Sequence, residues 1–216
     1  SRTRDLFDDF VRVLGSVDAL LLAEVYPDLE PRFVEEQTQH LITRLRSGNL
    51  DLAIMALPSE ATGMVDSPLY TEKFSIVCPP DHPIAGREDV QLAELKDLDL
   101  LLLDDGHCLR DQIVDLCRHA DVNPAEATNS VTRASSLTTI MQLVMGGLGC
   151  TLVPESALAT ECHGKDVAVA HFAPDVTAER EVGLVFRSSA ARAEEFREFG
   201  TLITAAYNKA IERSRQ

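Results

Sequence analysis

Leu98-Asp99-Leu100-Leu101-Leu102-Leu103-Asp104-Asp105-Gly106-His107-Cys108-Leu109-Arg110-Asp111-Gln112-Ile113-Val114-Asp115-Leu116-Cys117 reads in one pass as strand, turn and helix. Residues 98–103 form a short apolar run of strand length. Gly106 permits a sharp turn, because glycine alone enters positive φ at no steric cost. A helix over residues 110–120 follows, with Cys108 at or near its N-terminus.

The same alternation of short apolar runs with amphipathic stretches continues in both directions, the pattern of an α/β protein. Further strands are expected at residues 31–35, 50–56, 74–78, 129–133, 150–153, 167–172 and 180–186. Helices are expected at 37–47, 136–145 and about 190–213, with a single helical turn at 92–95. In the first helix Leu41, Ile42 and Leu45 form an apolar stripe and Gly48 stops it. Prolines punctuate the loops, and no repeat, low-complexity tract or long linker interrupts the chain. The order of elements fits two closely joined α/β lobes, with sites expected at the carboxyl ends of parallel strands.

Acidic residues outnumber basic ones 35 to 20, for a net charge of −15. Such a chain repels phosphate backbones, so this segment is not expected to grip DNA by itself. Apolar runs such as those at 19–23 and 100–103 fall far short of the roughly 20 residues that cross a membrane. Residues 1–10 lack the apolar stretch of a signal peptide. A cytoplasmic location without membrane association is the expectation.

The five cysteines are Cys78, Cys108, Cys117, Cys150 and Cys162. An odd count without a Cys-x-x-Cys pair argues against a secreted disulfide scaffold, a thioredoxin-type motif or a zinc ribbon. Cys78 and Cys150 stand among apolar residues and read as inert packing. Cys108 differs. A thiolate at a helix start gains from unpaired backbone N–H groups and the positive end of the dipole. His107 and Arg110 add cationic neighbours, opposed by Asp104, Asp105 and Asp111. On one continuous helix, Cys108 and Cys117 would lie ~13 Å apart along the axis. A disulfide needs Cα atoms within about 7 Å, so joining the two requires the helix to bend or unwind. A switch requires that rearrangement; a turnover enzyme gains little from it.

Residues 106–112 with Cys117 closely resemble the sensing segment of the hydrogen-peroxide-responsive LysR-type transcription regulators. Residues 45–54, 81–83 and 146–154 resemble more general signatures of LysR-type effector domains. The resemblance covers about residues 26–209. It implies two Rossmann-like lobes of the periplasmic-binding-protein-like type with crossing connections. Lobe I would hold residues 1–72 and 179–216, and lobe II residues 73–178 with the redox cysteines. It also implies that Cys108 is the peroxidatic cysteine and Cys117 the resolving one. Thr38, His107, Asp111 and Arg180 would bind hydrogen peroxide, Arg180 from the other lobe. No cofactor or metal is implied. Homodimers or homotetramers are, with DNA bound only through a domain outside this chain.

Residues 1–25 depart from the family pattern: by counting, Asp9 stands nearest a threonine expected to line the pocket. Blander readings accompany several residues. Thr38 reads equally as a helix cap, Arg180 as an exposed strand-edge charge, and Thr132, Ser135 and Ser136 as caps or anion ligands. Rival functions are a thiol peroxidase, a metabolite-binding regulator with incidental cysteines, and a zinc site at His107, Cys108, Cys117 and His119.

Overall fold

The computed structural model describes residues 32, 34, 36–122 and 128–214. The segment with Asp9, and most of the strand expected at 31–35, lie outside them. The chain divides into two compact units, Ser1–Thr71 with Glu181–Gln216, and Glu72–Arg180.

The Glu72–Arg180 unit is built around β3 (Leu100–Leu103), whose four leucines are all buried. β3 pairs in parallel with β4 (Thr128–Ala134), Leu103 opposite Ala134. On its other flank Leu100 bridges Cys150 just before β5 (Thr151–Pro154). β5 and β6 (Ala168–His171) both pair antiparallel with the end of β2 (Met64–Cys78), Ile76 facing Leu152 and Ala170. Around these strands run a 3-10 helix (Leu92–Asp97), α2 (Cys108–His119), α3 (Leu137–Met145) and α4 (Glu155–Glu161). One core joins them, with Leu101, Ile113, Ile140, Met141 and Leu152 among its members.

In the other unit α1 (Thr38–Ser47) ends at Gly48, which takes φ 77° so that the chain can reverse. The Arg187 guanidinium donates to the carbonyls of Leu45, in the last turn of the helix, and of Leu50, just beyond it. β1 (Leu52–Leu57) lies antiparallel to β7 (Glu179–Arg187), with β2 beyond β7. Along α5 (Ala193–Ser214), Phe196, Ile203 and Ala206 recur at helical spacing and bury against Leu184 and Phe186. Gly200 admits the close approach, since a Cβ there would crowd Leu69 and Leu184.

The α/β reading holds, and three local expectations need correction. β2 begins at Met64 and not at residue 74: Pro68 made its first half read as a loop. Proline is tolerated there because β5 and β6 pair with β2 only from residue 74 on, so Pro68 lies outside both ladders. α4 was not expected, since Pro154 read as loop punctuation; in the structure that proline is the N-cap. Parallel pairing is found at β3–β4 and two isolated bridges, whereas β1–β7, β2–β5 and β2–β6 are antiparallel.

The contact that closes the β3 side is backbone on backbone. Cys150 N–H donates to the Asp99 carbonyl at 2.8 Å, and Leu101 N–H to the Cys150 carbonyl at 2.7 Å. Thr151 Oγ1 adds a buried bond to the Leu101 carbonyl at 2.9 Å. Gly149 makes the approach possible at φ 149°, and a Cβ there would collide with the Asp99 carbonyl oxygen. Gly149→Ala should therefore lower stability by about 2–4 kcal/mol, read from the urea midpoint. An unchanged midpoint would mean that position 149 tolerates a side chain.

Candidate functional site

β3 delivers the chain to Asp104, whose N–H donates to the Ala134 carbonyl of β4 at 2.9 Å. Gly106, at φ 93°, turns it upward. His107 is the N-cap of α2 in extended conformation, its carbonyl accepting from the N–H groups of Arg110 (3.0 Å) and Asp111 (3.3 Å). Cys108 is thus the first helical residue, two positions earlier than the helix start expected from sequence. It is half-buried, among the first-turn amides and at the positive end of the helix dipole.

The charges around it are distributed differently from the sequence expectation. Arg110 turns its guanidinium to Asp105 at 2.9 Å and to Asp111 at 3.7 Å, so its charge is largely matched. Asp111 is mostly exposed. Positive potential at Cys108 therefore comes from the helix end more than from Arg110. The His107 side chain makes no capping bond.

Arg180 is no exposed strand-edge charge. Its Nε and Nη2 both donate to Glu72 Oε1, at 2.7 and 2.6 Å, and the Glu72 side chain is 0% exposed. The other carboxylate oxygen accepts the Ser156 N–H at 3.1 Å. The guanidinium lies over the Phe74 ring, and its Nη1 donates to Gln112 Oε1 at 3.3 Å. Gln112 is four residues after Cys108 and so shares its helix face, one turn on. Sequence reading missed Glu72 and gave Gln112 no role. Only the charge of Glu72 was visible there, not its burial.

Thr38 is the first residue of α1, in the unit that does not contain Cys108 and Cys117. The N-cap there is Gln37, with no side-chain cap bond, so the structure lends the capping reading no support. Ser136, by contrast, caps α3: its Oγ accepts the Thr139 N–H at 3.2 Å. The Thr132 side chain lies outside the described residues.

All five cysteines are free thiols. Cys117 is 1% exposed and lies on the same stripe of α2 as Leu109 and Ile113, facing the core. Along α2 it stands ~13 Å from Cys108. Burial pushes the thiols of Cys117 and Cys78 up from their ordinary values. Cys150 is pushed up to about 12 by burial, reinforced by Cys78 and Asp99. Cys162 is pushed up to about 11, chiefly by burial, with Lys165 pulling the other way. Among the described residues, no group of three or more His, Cys, Asp or Glu side chains is placed to hold a metal, and no helix is long and apolar enough to cross a membrane.

A family model, the LysR substrate binding domain, matches residues 20–208. The chain belongs to this family. The two-lobed α/β fold of the periplasmic-binding-protein-like type is borne out with it. A relative from Mycobacterium avium, a probable hydrogen peroxide-inducible genes activator, is 48% identical over 182 residues, covering 84% of this chain and 57% of the relative. A cysteine-to-serine variant of Corynebacterium glutamicum OxyR with bound hydrogen peroxide has 55% identity and a TM-score of 0.89, over 94% of this chain and 63% of that one. The oxidized form of C. glutamicum OxyR, at the same 55% identity, has a TM-score of 0.77 over 91% and 60%. The chain spans less than two thirds of the length of these relatives.

The buried thiols generate a pH dependence. Cys150 and Cys162 hold their protons more tightly folded than unfolded, where a thiol titrates near ~8.5. Their contribution to stability is complete below that pH and is lost as pH rises toward 11–12. The urea midpoint should fall between about pH 8.5 and 10.5, and less steeply in Cys150→Ala. Parallel curves for the two proteins would show that Cys150 does not contribute.

Proposed function

We propose that this chain is the redox-sensing regulatory domain of a LysR-type transcription regulator, with hydrogen peroxide as the signal. The observation that carries the reading is the placement of two free thiols on one helix: Cys108 half-buried at its start, Cys117 sealed in the core nine residues on. The named relatives, one of them holding hydrogen peroxide and another oxidized, support the same signal.

The Cys108 thiolate attacks one oxygen of hydrogen peroxide. An S–O bond forms, the O–O bond breaks, and hydroxide departs to take a proton as water, leaving a sulfenic acid. The sulfur of Cys117 then attacks Cys108 sulfur. The S–S bond forms, the S–O bond breaks, and a second water leaves. Thr38, His107, Asp111 and Arg180 would hold the peroxide, with hydrogen bonds from Thr38, His107 and Arg180 stabilising the departing hydroxide.

Cys117 cannot reach Cys108 while α2 is intact, so the disulfide must dismantle the helix between them. Withdrawing Leu109 and Ile113 from the core costs on the order of 3–6 kcal/mol, enough to favour a rearranged surface. In the full-length regulator that surface would reset contacts within a homodimer or homotetramer and thereby the DNA-binding domains carried by a separate segment. The setting is cytoplasmic, and the role is that of a sensor and not of an enzyme.

Peptide mapping with differential thiol labelling after stoichiometric peroxide should find Cys108 oxidised first and then joined to Cys117. Hydrogen exchange should accelerate across residues 109–116. In Cys108→Ser both changes should vanish, because a hydroxyl is a poor nucleophile near neutral pH. Equal loss of all five thiols would sink the sensor reading, and sustained peroxide consumption with a reductant would favour a peroxidase. Thr38→Val, which keeps shape and deletes a hydroxyl, should slow Cys108 oxidation roughly 5- to 150-fold with an intact fold. An unchanged rate would remove Thr38 from the site.

A further inference from the structure

Glu72 has a place in this site that neither its sequence context nor its distance along the chain suggests. A carboxylate at 0% exposure is costly to bury unless its oxygens are matched. Both are. Oε1 takes two N–H groups of Arg180, and Oε2 takes the Ser156 N–H at the start of α4. This three-point hold fixes the plane of the guanidinium, because Nε and Nη2 lie along one edge of a rigid fork. The remaining Nη1 is thereby aimed at Gln112, on the Cys108 face of α2.

We infer that Glu72 is the positioning residue of the peroxide site, holding Arg180 in the one orientation that serves Cys108. The inference rests on the proposed peroxide chemistry and acts entirely through Arg180. A glutamine at position 72 cannot substitute. It offers one carbonyl oxygen for two sets of donors, so its amide nitrogen must face either Arg180 or the Ser156 N–H. An aspartate keeps the charge but is one methylene too short to span both partners.

The test is the rate of Cys108 oxidation by hydrogen peroxide in four proteins: the wild type, Glu72→Gln, Arg180→Gln and the double variant. Each is checked for folding by circular dichroism. Glu72→Gln should slow oxidation at least about tenfold, as loss of an oriented donor does. The double variant should be no slower than Arg180→Gln alone, because a residue that acts only through Arg180 has nothing left to position. If Glu72→Gln fails to fold, Glu72→Asp and the double variant with Arg180→Gln provide the same cycle. A wild-type rate in the folded Glu72 variant, or losses that multiply in the double variant, would overturn the inference while leaving the sensor reading standing. A wild-type Cys108 no faster than the other thiols would overturn both.

Discussion

An α-helix advances about 1.5 Å per residue, and that rise holds the two thiols of α2 apart. Cys108 and Cys117 differ in position by nine residues, so no rotamer choice can bring the sulfurs together while the backbone bonds of α2 persist. The helix in turn persists because Leu109, Ile113 and Cys117 share one buried stripe against the core that surrounds β3. Packing of β3 against α2 thus maintains the separation. Other features accompany it: the half-buried cysteine at the helix start, Cys117 kept as a thiol in the interior, and the matched charges of Arg110 in the first turn.

The polar side of the same unit is organised by one buried carboxylate. Glu72 and Arg180 are the first and last residues of the Glu72–Arg180 unit, so their ion pair joins the two points at which the chain enters and leaves it. Removing one partner would strand a charge in the interior, which is far more costly than removing an exposed pair. Through Gln112 the same cluster touches α2 itself. The helix is therefore held from two directions, by apolar packing along one stripe and by a hydrogen bond on the face that carries Cys108.

The strand-turn-helix at residues 98–117 was legible in the sequence because its determinants are local: an apolar run, a glycine in the turn, and apolar spacing along the helix. The opposing charges of Asp104, Asp105 and Asp111 were visible too, but the ion pairs of Asp105 and Asp111 with Arg110 were not. What escaped depends on partners distant in the chain. The first half of β2 carries Asp66 and Pro68 and is a strand in company with β7. Glu72, flanked by Thr71 and Lys73, resembles any solvent-facing strand charge, and its burial follows from Arg180, 108 positions away. α4 offers little apolar signal and begins directly after a proline. The family resemblance pointed to Arg180, but its buried partner Glu72 emerged only from the packing.

The burial of Cys117 has a kinetic corollary on the proposed chemistry. A sulfenic acid at Cys108 must wait for α2 to open before its partner arrives, so the rate of its capture by Cys117 is a property of helix stability and does not depend on how much peroxide is present. A second encounter with peroxide, by contrast, grows in proportion to concentration and leads to a sulfinic acid that cannot form the disulfide. The two rates cross at one peroxide concentration, above which the domain is silenced instead of switched. Every contact that steadies Leu109, Ile113 and Cys117 in the core lowers that crossing point, so the packing of α2 sets the upper end of the sensor's dynamic range.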